Sequence, residues 1–218
     1  LKKRNKAISA KNTFNGYVKP FWRNNFKKSK KSKLRYNGKP VTQQQMFAID
    51  ALARTVFAEM RGCVKKGLRY PMAVARVTLN RAYFSQKYAK KKGGNIEQLS
   101  FVKDRGPGID GKKFDYRKAD INEVVTRTIS SSKQYSAWNR DDANVHLALC
   151  PSGLGSQDAV AWKKSLQVAA YAILDRKNFK KDTDDITALH YSSDMNPGWA
   201  NTKKLEKNVK VGGLPVDS

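Results

Sequence analysis

The chain has 218 residues, 39% of them apolar and 10% aromatic, enough for one domain with a real core and too apolar for wholesale disorder. Against 44 Lys and Arg stand 18 Asp and Glu, a net charge of +26 that points to an anionic polymer as partner. No apolar run approaches the ~18 residues of a membrane span, and two cysteines are too few for a disulfide-stapled miniprotein.

In chain order, residues 1–39 carry 14 Lys and Arg and no acid, the first carboxylate being Asp50. The division expected is a basic arm, 1–41, and a domain, 42–218. Phe14, Tyr17, Phe21, Trp22, Phe26 and Tyr36 recur through the arm. They either pin it to the domain or line a groove for a polyanion. The chain begins at Leu1 with no signal-peptide pattern, which fits a mature exported form or a shortened chain.

Thr42 and Gln45 read as a capping box that opens a helix. Met46, Ile49, Ala53, Val56 and Met60 then repeat at helical spacing, and Gly62 supplies the stop. Pro71 opens a second helix through Ala75, Val77, Leu79 and Ala82, followed by a Lys/Gly-rich connection over 85–118. A third helix starts from Asp120, with Glu123 at its third position, and buries Ile121, Val124, Val125, Thr128 and Ile129. The fourth and longest covers about 158–178, with Trp162, Leu166, Ala169, Ala170, Ile173 and Leu174 inward. The body is mostly α (α+β), with room for a short hairpin near 100–118 or 134–150.

Several motifs fail on their surroundings. Gly106–Gly111 formally matches GxGxxG, but Pro107 sits inside it and no helix follows. His146 and His190 have no ligand spacing, so neither a metal nor a cofactor is expected. Cys63 and Cys150 lack the CxxC spacing of a zinc or redox pair. In an exported protein they are candidates for one disulfide, closing a loop of about 90 residues and contributing up to about 4–5 kcal/mol. In a cytosolic protein they are two thiols.

The scarce carboxylates carry more information. By the ~100° helical step, Glu59 is expected roughly 100° from the centre of the apolar stripe, on its rim beside Leu52 and in the last turn before Gly62. Partial burial and the helix dipole would push its pKa up, as a general acid requires, while Arg54 and Arg61 would oppose the shift if close. The plainer interpretation is an ordinary surface glutamate. Gln134-Tyr135-Ser136-Ala137-Trp138-Asn139 alternates rings with amides and a hydroxyl, which suits sugars but also a strand with ordinary aromatic packing. Residues 188–200, from His190-Tyr191 to Asn196-Pro197-Gly198-Trp199, read as a short strand entering a polar turn that presents an aromatic.

Taken in order, Ala53–Gly62 with Val74–Arg81, then Gln134–Asn139, then Ala188–Ala200 resemble the SleB-type cell wall hydrolases, the family of the spore cortex-lytic enzyme. The match spans about 42–200. The resemblance implies a lysozyme-like, mostly α fold with a small β element. It also implies cleavage of the β-1,4 bond between N-acetylmuramic acid and N-acetylglucosamine in peptidoglycan, by a secreted or periplasmic monomer. Carried over by position, Glu59 is the catalytic acid and Tyr135-Ser136 the aromatic-Ser/Thr strand at the cleft. Tyr191, Asn196 and Trp199 match the C-terminal cleft wall, with Trp138, Asn139 and His190 as further substrate contacts. No second carboxylate lies beside Ser136 in these blocks. That leaves either closure of a 1,6-anhydro ring or a water placed by Ser136. The segments 85–118 and 140–156 and the arm depart from the family's pattern. Peptidoglycan carboxylates and other anionic envelope polymers suit the cationic surface. The rival is a non-catalytic nucleic-acid binder, which leaves Glu59 without a role; a lapsed hydrolase that only binds the wall is a third expectation.

Overall fold

The computed structural model describes residues 35–91, 114–130, 135–151 and 155–189. The arm aromatics Phe14 to Phe26, the Gly106–Gly111 loop, and His190, Tyr191, Asn196 and Trp199 lie outside these residues.

Residues 100–113 lie outside the described residues, and among those described the β element lies outside both expected places, 134–150 and the end of 100–118. It is a hairpin of β1 (Arg35–Tyr36) and β2 (Lys39–Pro40), antiparallel, with Arg35 opposite Pro40 and Tyr36 opposite Lys39. Asn37-Gly38 forms the turn with φ of 47° and 75°. Two positive φ values are what a two-residue turn needs to match strand twist, and Asn-Gly is the dipeptide that tolerates them. Arg35 Nη1 donates to the Gly38 carbonyl at 2.9 Å. Val41, next in the chain, is buried.

Helix α1 (Gln43–Met60) opens on the expected capping box. Thr42 Oγ1 accepts from Gln45 N at 3.1 Å, and Gln45 Oε1 accepts from Thr42 N at 2.8 Å. The stop differs. Gly62 lies inside a 3-10 helix, Arg61–Lys66, and the chain turns at Gly67, whose φ of 122° suits glycine.

Helix α2 (Arg69–Lys91) runs well past Ala82, because no Gly or Pro interrupts 82–91 and Ser85 and Ala89 continue the buried stripe. Pro71 sits in its first turn, where no N–H is required. Helix α3 (Ile121–Ile129) is capped as read, Asp120 Oδ1 accepting from Asn122 N at 2.7 Å.

Residues 135–149 contain no strand. Ser136–Trp138 is a 3-10 turn and Val145–Leu149 is helix α4. The expected last helix is two, α5 (Ser156–Leu174) and α6 (Arg176–Asp182), broken at Asp175. The buried stripe of α5 is Ala161, Ser165, Val168, Ala169, Ala172 and Ile173, about one residue round from the expected face.

Helix α1 is the axis of the core, packing on α5, α3, α2 and α4. Its buried Ala48, Ala51, Ala53 and Ala58 meet Ala161, Ala169 and Ala172 of α5 and their neighbours in one cluster. Small side chains let helices approach closely, while Leu52, Phe57, Trp138 and Tyr135 fill the larger gaps. Phe57 meets Trp162 edge-on at 5.8 Å.

The candidate disulfide is not made: Cys63 and Cys150 are both thiols. The 3-10 helix carrying Cys63 packs on α5 and α2, whereas Cys150 follows α4, which packs on α1 and the 136–138 turn. Among the described residues no helix is long and apolar enough to cross a membrane.

Candidate functional site

Glu59 stands in the last turn of α1, one turn after Thr55 and two after Leu52, both fully buried. Its i+4 and i+7 relation to them puts it within the buried face of the helix rather than on the rim. The Met46–Met60 series misplaces the stripe's centre, because the buried face is built on Ala48, Ala51 and Thr55. Glu59 is half-buried because the helix emerges from the core at that end.

The 135–138 turn packs against this end of α1. Trp138 Nε1 donates to Thr55 Oγ1 at 2.9 Å, and Thr55 in turn donates to the Ala51 carbonyl at 2.8 Å. Tyr135 is 0% exposed. Its hydroxyl lies 2.7 Å from Thr78 Oγ1, and Thr78 spends its own hydrogen on the Val74 carbonyl at 2.9 Å. The phenol is therefore the donor in that pair. The Arg81 guanidinium lies 5.1 Å from the Tyr135 ring centroid and hydrogen-bonds its oxygen.

Burial pushes the Tyr135 phenol's pKa up, Arg81 and Thr78 pull it back, and the nearby charge of Glu59 adds to the rise. Tyr135 thus feels both Glu59 and Arg81, although the three come from separate stretches of chain.

A fourth stretch is tied to the same place. Asn80 Nδ2 donates to the carbonyls of Ile186 at 3.1 Å and Ala188 at 3.0 Å. Arg81 Nε donates to the Leu189 carbonyl, and Arg76 Nε to that of Ile186 at 3.3 Å. The Asn80-Arg81 pair therefore grips the backbone of 186–189.

Of the residues singled out from sequence, Glu59 and Tyr135 are brought together, and Trp138 lies one helical turn below. Ser136 is exposed in the turn that follows Tyr135, and Asn139 is half-buried, its N–H on the Ser136 carbonyl. Of the two expectations for Tyr135 and Trp138, sugar stacking and ordinary aromatic packing, the second holds: they are packed side chains, 0% and 2% exposed. Their polar atoms are engaged with Thr78, Arg81 and Thr55, so they shape the site from beneath. Thr55 and Thr78 are members of the site that sequence reasoning misses. Their signal is a hydroxyl at an apolar position of a helix, which calls for a partner.

Among the described residues no three of His, Cys, Asp and Glu gather where a metal would sit. A cavity of about 260 Å³ among the described residues lies elsewhere. Tyr36, Asn37, Lys39, Pro40, Val41, Gln45, Leu174 and Asp175 line it. Gln45 and Glu59 are separated along α1 by about 21 Å, at 1.5 Å per residue.

No family model, curated protein or solved structure matches the chain.

Proposed function

We propose that the chain cleaves the β-1,4 bond between N-acetylmuramic acid and N-acetylglucosamine in peptidoglycan glycan strands, as the resemblance to SleB-type cell wall hydrolases implies. Glu59 is the general acid. One observation carries the reading. The scarce carboxylate that the resemblance names is half-buried at a helix end, and its charge is felt by a buried Tyr135 held by Thr78 and Arg81.

A general acid must hold a proton at working pH, and the carbonyl end of α1 disfavours a negative charge there. Arg81 works in the other direction, stabilising the carboxylate once the proton has left. In the first step Glu59 protonates the glycosidic oxygen while positive charge develops at the anomeric carbon. The proton on Glu59 passes to the leaving oxygen, and the C–O bond electrons go with it. In the second step the Glu59 carboxylate takes a proton either from the sugar's own 6-hydroxyl, closing an anhydro ring, or from a water. Ser136, exposed beside Tyr135, takes the role of hydrogen-bonding group on the water route, as the resemblance implies.

The +26 charge draws the protein to the carboxylates of a wall polymer. A zymogram on purified peptidoglycan tests the proposal. The wild-type chain is expected to clear it and Glu59→Gln to leave it intact. Equal clearing by both removes Glu59 from the chemistry.

A further inference from the structure

The second half of α2 presents a surface that the proposed chemistry does not use. Tyr83 and Phe84 are exposed, at 42% and 40%, although large aromatic rings are costly to leave in water. Tyr88 is half-buried with one side on the core, and its ring stacks on Phe84 at 6.2 Å with 21° between planes. Lys87, Lys90 and Lys91 are exposed between and beyond these rings. By the ~100° step all six side chains fall within one half of the helix circumference.

Among the described residues nothing compensates the charge of this face. Helix α2 contains no Asp or Glu in its 23 residues, and the three lysines are in no ion pair among the described residues. Lys90 and Lys91 gain from the carbonyl end of the helix, but that accounts for neither Lys87 nor the rings.

The face is also continuous with the candidate site. Phe84 and Tyr88 follow Arg81 at i+3 and i+7, on the same stripe of α2, about 4.5 and 10.5 Å along its axis. Arg81 itself is buried, 3% exposed, so the track begins at the exposed rings: a polymer passing Glu59 and continuing along α2 meets Phe84 and Tyr88 next, then the lysines.

We infer that the Tyr83–Lys91 face of α2 is an accessory track for an anionic glycan strand, its rings stacking on sugar C–H faces and its lysines pairing with side-chain carboxylates of the polymer. The inference rests on the proposed function for the identity of the polymer. Alternating rings and amines on an acid-free face match a chain that alternates sugar rings with carboxylates.

Binding is read on the full chain carrying Glu59→Gln, by co-sedimentation with purified insoluble peptidoglycan. Adding Tyr83→Ser and Phe84→Ser is expected to weaken binding about tenfold, since removing a ring that stacks on a sugar multiplies the dissociation constant severalfold. Because Phe84 stacks on Tyr88, the melting temperature is measured alongside, and binding is compared at a temperature where parent and variant are both fully folded. Lys87→Gln with Lys91→Gln is expected to weaken binding at low salt. At roughly 1 M salt, where the screening length falls to about 3 Å, this pair of changes has little effect. Unchanged binding by both double variants overturns the track.

So does a single-stranded oligonucleotide that displaces the parent from peptidoglycan through the same rings, because the occupant is then a nucleic acid. Self-association through these rings, seen by gel filtration, overturns it as well. Failure of the hydrolase reading looks different. In that case the wild-type chain releases no new sugar ends, while the parent still binds peptidoglycan through Tyr83 and Phe84.

Discussion

The two ends of α1 differ in what they offer. At the Gln45 end there is space: a cavity of about 260 Å³ between the hairpin, α1 and the α5–α6 junction. The capping bonds around it are local, between Thr42 and Gln45. At the Glu59 end, groups of opposite character converge from α1, α2, the 135–138 turn and the 186–189 segment, tied by long-range bonds. A local cap fixes one helix end, whereas bonds between distant segments hold unlike groups in a set geometry. Chemistry is to be sought where the second condition is met, and cavity volume is the poorer guide.

The largest expected effect is on turnover. Glu59→Gln should slow cleavage of a soluble glycan by roughly 10²–10⁴-fold, the usual worth of a general acid, with the melting temperature little changed. A loss of only twofold would place the two ends of α1 on equal terms.

Next comes stability at the Glu59 end. Trp138→Ala removes a buried indole and its bond to Thr55, and should cost about 3–5 kcal/mol in denaturant unfolding. Thr78→Val leaves the buried Tyr135 hydroxyl without its acceptor, at about 1–3 kcal/mol. The double change Thr78→Val/Tyr135→Phe should cost less than the sum of the two single changes, since each single change already breaks the one Thr78–Tyr135 bond. If the double change costs the sum of two independent losses, the pair is not coupled as described.

At the other end the effects are smaller. Thr42→Ala should lower stability by about 1 kcal/mol and leave glycan cleavage unchanged. A fall in cleavage would mean that the hairpin end serves the chemistry.

Tyr171, on α5 near the hairpin, supplies a pH test that is silent at neutrality. Its hydroxyl donates to Asp182 Oδ2 at 2.6 Å, and that bond is the main reason its pKa is pushed up to about 12. The ordinary value is about 10, so the protonated phenol is favoured by the folded state. Its contribution is complete below pH 10 and is lost as the pH rises toward 12. Ultraviolet titration, with Tyr171→Phe subtracted, should show this phenol ionising well above an ordinary tyrosine in the wild type and at an ordinary pH in Asp182→Asn.

The local signals are legible in the sequence. The capping box at Thr42, the Asp120 cap and the four long apolar repeats all lie where helices are found. What fails is the orientation of α1 and α5. An Ala-rich stripe is weaker than the Met, Ile, Leu and Trp residues beside it, so the larger side chains draw the expected face toward themselves. Residues 134–139 read as a strand because rings alternate with polar groups, but both rings, Tyr135 and Trp138, are packed at the start and end of a 3-10 turn. The Asn37-Gly38 hairpin is visible as a dipeptide, yet the basic residues around it mask the short strands it joins.

At the site, Glu59 is legible through scarcity and position. The bonds of Thr78 to Tyr135 and of Asn80-Arg81 to the 186–189 backbone join residues 57 to 108 apart in the chain, and no short pattern reports such pairings.

Mass spectrometry of the fragments released from purified peptidoglycan tests the central claim most directly. The wild-type chain is expected to release muropeptides with new muramic ends, either 1,6-anhydro or reducing, and Glu59→Gln to release essentially none. The same fragments in the same yield from Glu59→Gln, or none from a folded wild-type chain, would contradict it.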